Sequence, residues 1–455
     1  MNLHALLSLA LAAQAGQEPL TLDDALAEAA RANADVKLAR ASAELSGVDV
    51  YGSYAGVLPR LDLNAAFGRD FVGARSIITA FPTSIDPNTG QPVFEQRQVS
   101  IPATDNPDYS IGLTLQLPLF DGARNWRSVE RARTAARASD RSFDETSLGV
   151  AFEVTRRFFE VLKAQESLRV LEETVLRSEE IVRRAEALFE AGRGGRLDVL
   201  TARGNLGTDR IAVEQARARL VQARADLAIV MGRDAGEALA IAPPAYLGGP
   251  GLPAAGEPPS EAVLLERARR SRPLLSAQAE TVRAAEIGES IARGAWFPVV
   301  GAQASYTRQG PNLAGSEGVY GDPARQYVAN AQIVVQWNLF NGRQTLADEQ
   351  RASISTRRAR TQAEQAEQQV SNEIARARSN LIALQRSAAL ASENLSSAEQ
   401  GVELARGRLE AGAASQLEMR DAVLKLTQAK LTLVNARVDH VVAQADLNRA
   451  VGGSL

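Results

Sequence analysis

Glu418 and Asp421 lie three residues apart in "SQLEMRD" and so share one face at the start of a helical stretch. Acids so placed stabilise a helix N-terminus by about 0.3–1 kcal/mol. Asp198 holds the place equivalent to Glu418 in the first half of the chain, and Thr201 the place equivalent to Asp421. Little else in the 455 residues could do chemistry. Cysteine is absent, which removes disulfides, thiolate metal sites and a lipidated N-terminal cysteine together. Histidine occurs only at 4 and 440, so imidazole catalysis and zinc binding have almost nothing to use. No glycine-rich phosphate loop or serine elbow is present, and the other acid pairs have only helix-surface spacing. The expectation is no catalytic site, no cofactor and no metal. The net charge of −3 provides no basic field for nucleic acid.

The elements that must carry such residues are written twice. "LQLPLFDG" at 115–122 returns as "VQWNLFNG" at 335–342, a shift of 220. The same shift carries "FEAGRGGRLDVLTAR" (189–203) onto "LEAGAASQLEMRDAV" (409–423). Upstream, "GVLPRLDLNAAF" (56–67) matches "AWFPVVGAQASY" (295–306) at a shift of 239. The chain is a tandem duplication, and the difference of 19 between the shifts places an insertion in the first half, within 76–108.

Four stretches alternate with period 2, the signature of strands with two unlike faces. They lie at about 58–71, 109–120, 297–308 and 327–340. Leu61, Leu63, Ala65 and Phe67 form one apolar stripe; Tyr109, Ile111, Leu113, Leu115, Leu117 and Leu119 form a second. Val300, Ala302, Ala304 and Tyr306 form a third, and Ile333, Val335, Trp337 and Leu339 a fourth. A half-buried soluble sheet is the competing reading. Strands of ~10–12 residues can cross a bilayer, and the polar residues stay opposite the stripe in all four. Leu113, Leu115, Ile333, Val335 and Trp337 are therefore expected to face outer-membrane lipid. Tyr109, Tyr306, Tyr327 and Trp337 are candidates for an aromatic girdle. Open sheet edges cannot stand in lipid, so four strands must be completed by further copies. The insertion would then be an extracellular loop.

The rest reads as helix. Residues 22–56 are helical up to Pro59, and seven-residue ladders run from Val154 to Phe189 and from Ile374 to Leu409. Returning segments pair large residues with an alanine stripe, Ala422 to Ala450, as tight antiparallel coiled coils require. His440 falls in that seam. The first repeat thus spans 16–232 with a helical hairpin at 124–232, and the second spans 261–455 with a hairpin at 343–451. The stretch 233–260, rich in Pro and Gly, links them. The outgoing helix is ~100 Å long and lacks an equal return, so 196–232 and 261–294 are expected to stack end to end beside it. Residues 1–15 read as a signal peptide, ending in the A-x-A pattern of Ala13 and Ala15.

With its Leu-Pro or Phe-Pro helix-to-strand joints (58–59, 297–298), its Leu-Phe-(Asp/Asn)-Gly tetrads and its "EAG" hairpin tips, the duplicated set resembles TolC-type outer-membrane efflux proteins over residues 20–452. The resemblance implies a homotrimer: a twelve-stranded β-barrel in the outer membrane of a Gram-negative bacterium, continuous with a twelve-helix coiled-coil α-barrel crossing the periplasm. It implies a passive exit duct for an efflux or type I secretion system, working with a periplasmic adaptor and an inner-membrane pump. Gly192, Arg193, Gly194 and Gly195 at one tip, with Gly412, Ala413, Ala414 and Ser415 at the other, would dock the adaptor. Glu418 and Asp421 match carboxylates that ring the family's periplasmic mouth. A tyrosine and an arginine that lock that mouth match Leu409 and Ala414 here, so that lock is not preserved; Arg193 and Arg196 could replace it. A periplasmic coiled-coil scaffold without a pore is the alternative, and it would leave the four strands unexplained.

Overall fold

The computed structural model describes residues 19–453 apart from 88, 237–238, 243–256, 324–326 and 412. The signal peptide expected at 1–15 and much of the linker expected at 233–260 lie outside the described residues. The chain divides into two compact units. One comprises the described residues of Met1–Gly47, Thr134–Arg283 and Arg357–Leu455; the other comprises Val48–Arg133 and Ala284–Thr356.

The first unit is helical. Its elements come from α1 (Leu22–Ala32), α2 (Ala34–Ser53), α3 (Arg124–Glu190), α4 (Arg196–Met231), α5 (Glu261–Ser271), α6 (Pro273–Gly294), α7 (Gln344–Glu410) and α8 (Gln416–Val451). The long helices α3 and α7 have 67 residues each, and the returns α4 and α8 have 36 each. Small and branched residues close the seams. Val182 and Ala185 meet Val199 and Ala202 in the first hairpin; Ala388 and Ala391 meet Leu433 and Ala436 in the second. A larger core gathers Phe158, Phe159, Leu227 and Met231 around Ala25 and Ala29 of α1.

Two expected helices are broken. The helix read over 22–56 stops at Asn33 (ψ 136°), and the one read over 261–294 stops at Arg272 (ψ 117°). Asn33 joins two helix ends. Its Nδ2 donates to the Val230 carbonyl at 2.8 Å, while its Oδ1 accepts from the backbone N–H of Asp35 at 2.8 Å and Val36 at 3.2 Å. Such a cap satisfies orphan groups on both helices. Gly232 ends α4 with φ +81°, and a Cβ there would lie 2.6 Å from the Ala32 carbonyl oxygen. Gly452 ends α8 with φ +95°, and its Cβ would lie 2.6 Å from Arg272 Cα. Each return helix therefore abuts the break in its own repeat, α4 at Asn33 and α8 at Arg272. The stacking of 196–232 on 261–294 argued from length alone is corrected by these contacts.

The second unit holds β1 (Arg60–Val72), β2 (Arg75–Ile85), β3 (Pro92–Ile101), β4 (Thr104–Phe120), β5 (Val299–Gly310) and β6 (Tyr327–Gln336). Four strands form an antiparallel sheet in the order β1-β4-β5-β6, and β2 pairs with β3 alone. The segment read as a loop over 76–108 is thus mostly strand. Pairing runs from Arg60↔Gln116 to Val72↔Thr104 and resumes in the same register at Arg75↔Ile101. Polar residues in both strands, and Pro82 at the register shift between Pro82 and Ser84, hid the alternation. Trp337 and Leu339 lie past the end of β6, so Trp337 is not the barrel-strand residue expected.

Candidate functional site

Directly opposed residues of an antiparallel pair share a face, so register decides whether the four apolar stripes agree. They do. Leu63, Leu113, Tyr306 and Ala329 make one row across the sheet, and Leu61, Leu115, Ala304 and Ala331 make the next. Leu117, Ala302 and Ile333 follow, then Val300 with Val335. The alternate rows are polar: Asp62, Thr114, Ser305 and Asn330, and also Gln116, Gln303 and Gln332. Leu61, Leu63, Phe67, Leu113, Leu115, Ile333 and Val335 are all exposed in the single chain. Covering such a face is worth roughly 25 cal/mol per Å².

Aromatic residues mark both ends of this band. At one end Phe67 meets Tyr109 edge-on at 5.9 Å, and Tyr306 stacks on Tyr327 at 5.8 Å. Charge begins just beyond, where Arg69 pairs with Asp105 at 3.1 Å. At the other end Trp337 Nε1 donates to the Trp296 carbonyl at 3.1 Å, and Trp296 Nε1 donates to Glu349 at 3.0 Å.

The tetrads sit where strand becomes helix. Gly122 and Gly342 are left-handed (φ +73° and +66°), and so are the residues after them, Ala123 (+64°) and Arg343 (+72°). A left-handed residue with a Cβ costs about 1–2 kcal/mol, and the sequence reading anticipated only the glycines. Asp121 Oδ2 accepts from the Asn125 backbone N–H at 2.7 Å, and Asn341 Oδ1 from that of Thr345 at 3.4 Å. The acid-or-amide position therefore caps the helix that follows.

At the first hairpin tip Gly192 turns with φ +69°, and the Arg193 N–H reaches back to the Leu188 carbonyl at 2.8 Å. Gly194 packs against Leu188, and Gly195 caps α4 with its N–H on Asp198 at 3.1 Å. At the second tip Gly412 lies outside the described residues. Ala413 donates to the Arg408 carbonyl at 2.8 Å, Ala414 is half-buried, and Ser415 Oγ caps α8 by accepting from the Glu418 N–H at 3.2 Å. Glu418 also accepts from Arg408 at 2.6 Å, and Asp421 pairs with Lys425 at 2.7 Å. Both acids thus have a cation on the same hairpin. Exposed pairs of this kind are worth ~0–1 kcal/mol.

A third charged group lies between the hairpins, and it is buried. Arg420 of α8 holds Asp209 of α4 with two bonds, at 2.7 and 2.8 Å, and each side chain is 10% exposed. Ser178 of α3 donates to the same carboxylate and accepts from Arg420 at 3.0 Å. Further rungs join α3 to α8: Thr174 to Thr427 at 2.9 Å, Glu173 to Lys430 at 2.7 Å and Lys163 to Asp439 at 3.0 Å. The Lys430 ammonium holds the Glu173 carboxyl below its ordinary pKa.

The residue profile of the outer membrane efflux protein family matches 11–233 and 264–453. The chain belongs to that family. Among relatives, the outer membrane efflux protein BepC of Brucella suis biovar 1 is 24% identical over 352 residues, covering 77% of this chain and 74% of BepC. The outer membrane protein TolC of Vibrio cholerae is 21% identical over 346 residues, covering 75% and 76%. Of solved structures, CusC superposes with a TM-score of 0.78 at 21% identity, covering 95% of this chain and 92% of the CusC chain. The open-state MtrE channel of Neisseria gonorrhoeae gives 0.75 at 20% identity, covering 95% and 89%. The fold is TolC-like, and this efflux protein belongs to the outer membrane of Gram-negative bacteria.

The sequence reading of this efflux protein missed the Asp209–Arg420 group. One signal was available. Asp209 stands in the small-residue seam between Ala202 and Ala216, both buried, and an acid at such a position needs a partner. That the partner would be Arg420, between the two acids first singled out, depends on how the hairpins pack.

Proposed function

We propose that the chain acts as a homotrimeric, passive exit duct of a tripartite efflux or type I secretion system. Twelve strands would close one barrel in the outer membrane, and twelve helices would form the tunnel through the periplasm. The observation that carries this is the open four-stranded sheet, with one apolar face and with β1 and β6 as its edges. Unpaired backbone groups cannot remain at those edges in lipid. Outer-membrane lipid covers the face bearing Leu113, Leu115, Ile333 and Val335, while the glutamine rows face water. The tips at 192–195 and 412–415 dock a periplasmic adaptor, which connects to an inner-membrane pump that supplies the energy.

At the mouth, Glu418 and Asp421 bias entry toward cations. Asp209 and Arg420 tie the second hairpin to the first and so keep the mouth narrow until the partner engages.

Native mass of the detergent-extracted protein tests the assembly: three chains are expected, and a soluble monomer would refute it. Leu113→Arg or Ile333→Arg should cost about 2–4 kcal/mol on a lipid face and block assembly, whereas Gln116→Arg and Gln336→Arg should be tolerated. Equal effects on both faces would overturn the strand register and the assignment of the faces with it. In bilayer recordings Asp209→Asn and Arg420→Gln should raise conductance, and Glu418→Ala/Asp421→Ala should weaken cation selectivity. Unchanged currents in all of these would leave the residues structural.

A further inference from the structure

The two repeats agree down to strand register, and this makes the missing seam calculable. In the first repeat Leu63 lies opposite Leu113. Advancing these by the repeat shifts of 239 and 220 gives Ala302 opposite Ile333, the pair observed in the second repeat. Arg60↔Gln116 likewise becomes Val299↔Gln336, also observed. The link between repeats is β4 to β5, with Leu113 opposite Tyr306 and Thr114 opposite Ser305. Its counterpart would join β6 to a β1 strand. Within one chain these are opposite edges of the sheet.

We infer that β6 pairs with β1 of a neighbouring copy in one register, placing Ile333 opposite Phe67 and Val334 opposite Ala66. The inference rests on the homo-oligomeric reading above and adds the seam. Transferring β4–β5 in this way keeps every face consistent. Val335 meets Ala65 and Ala329 meets Phe71 on the apolar side, while Gln336 meets Asn64 and Asn330 meets Asp70 on the polar side. The match follows from the repeats keeping their faces under the two shifts, and it limits any slip to an even number, since an odd-numbered slip would set each apolar row against a polar one. The charged ends agree as well. Arg308, opposite Ile111 within the chain, is the counterpart of Arg69, which would lie opposite Ala331.

The joint below the seam provides an independent sign. At Gly122 an added Cβ would come within 2.4 Å of the Gly294 carbonyl oxygen and 3.1 Å of Phe297 Cβ. At Gly342, with nearly the same backbone, nothing lies within 4 Å. The counterparts of Gly294 and Phe297 at a shift of 239 are Ala55 and Leu58. The socket at Gly342 is therefore shaped for the neighbour's Ala55 and Leu58. Leu58 is 57% exposed, and Phe340, beside the socket, is 83% exposed where its counterpart Phe120 is 45%.

The absence of cysteine makes the test clean. Ile333→Cys/Phe67→Cys and Val334→Cys/Ala66→Cys sample both faces, so one pair falls on the closely spaced type of position, with Cα atoms ~4.5 Å apart, within disulfide reach. After mild oxidation of outer-membrane vesicles, at least one should run as covalent multimers on denaturing gels and collapse on reduction. The displaced pairs Ile333→Cys/Ala65→Cys and Ile333→Cys/Arg69→Cys should remain single chains. Native mass is measured on each variant. Multimers from a displaced pair, or from none while the native mass shows an oligomer, overturn the register and spare the oligomer. A monomeric native mass overturns both.

Discussion

Asn33 and Arg272 stand at the same place in the two repeats, 239 residues apart, where a helix breaks and a return helix ends. The first repeat holds that break with one neutral amide. The second uses a guanidinium that is 2% exposed. Arg272 binds Glu145 twice, at 2.6 and 2.9 Å, reaches Glu373 at 3.4 Å, and donates to the Arg449 carbonyl at 2.6 Å. Glu145 in turn accepts from the Leu274 N–H, in the first turn of α6, at 3.2 Å. One backbone geometry can thus be fixed by a local cap or by a charge network drawn from α3, α7 and α8. The network ties Arg272 to three other helices, while the Asn33 side chain reaches beyond its own segment only to α4.

The largest expected effect tests that dependence. Arg272→Ala leaves two glutamates near a buried, empty place, and breaking a buried pair this way costs about 3–5 kcal/mol. Asn33→Ala removes a cap and should cost ~1 kcal/mol. Thermal loss of helical signal in the extracted protein measures both. Equal shifts would mean that the network adds nothing beyond a cap, and that the two breaks are equivalent after all.

How much of this was legible follows from the range of each interaction. The strand faces, the heptad seams and the glycine at each strand-to-helix joint were readable, because period 2, period 7 and backbone sterics act between near neighbours. The breaks were less so. Pro273 is a recognised first-turn residue and could have marked the start of α6, but nothing local in "ANADV" forces Asn33 out of a helix. The charged partners of Arg272, Asp209 and Arg420 come from helices over a hundred positions away in sequence or from the other hairpin, so no spacing rule reaches them. Glu418 and Asp421 were singled out by the family resemblance together with their shared helix face; Lys425 lies within i,i+4 reach of Asp421, whereas Arg408 emerged only with the hairpin turn in place.

A smaller effect separates the two return helices. His440 of α8 is the counterpart of Leu220 of α4, and both are buried. His440 Nδ1 has no hydrogen-bond partner among the described residues, and burial pushes the imidazole pKa below its ordinary value. The unfolded chain takes up a proton near pH ~6.5 while the folded chain resists it. Stability is therefore complete above that pH and falls as the pH drops below it, by at most ~1.4 kcal/mol per unit. His440→Leu, which makes the second seam like the first, should remove this slope between pH 7.5 and 5.5. A slope that survives the substitution would assign it to carboxylates instead.

The smallest effect is expected at the largest visible difference between the repeats. The β1/β4 pairing continues through β2 and β3 to Ile85↔Pro92, whereas among the described residues β5/β6 pairing extends to Arg308↔Tyr327. A tilted strand needs only ~9–11 residues to cross a bilayer, and the Arg69–Asp105 ion pair already marks water. On the proposed barrel the β2/β3 ribbon would therefore stand outside the lipid. It also buries little of itself, since Ile78, Ile85, Val93 and Phe94 are all exposed. Nor does the inferred seam need it, because every β6 residue finds its partner within β1 or, for Tyr327, at Gly73 just past its end. Replacing Arg75–Ile101 with a two-residue Asn-Gly turn, which suits an antiparallel hairpin, should leave native mass and thermal midpoint unchanged. Sensitivity to phage or bacteriocins that approach from outside is where a change is expected. If instead the shortened protein fails to assemble, the free edge of β2 continues the intermolecular seam of β1, and the ribbon belongs to the interface between copies.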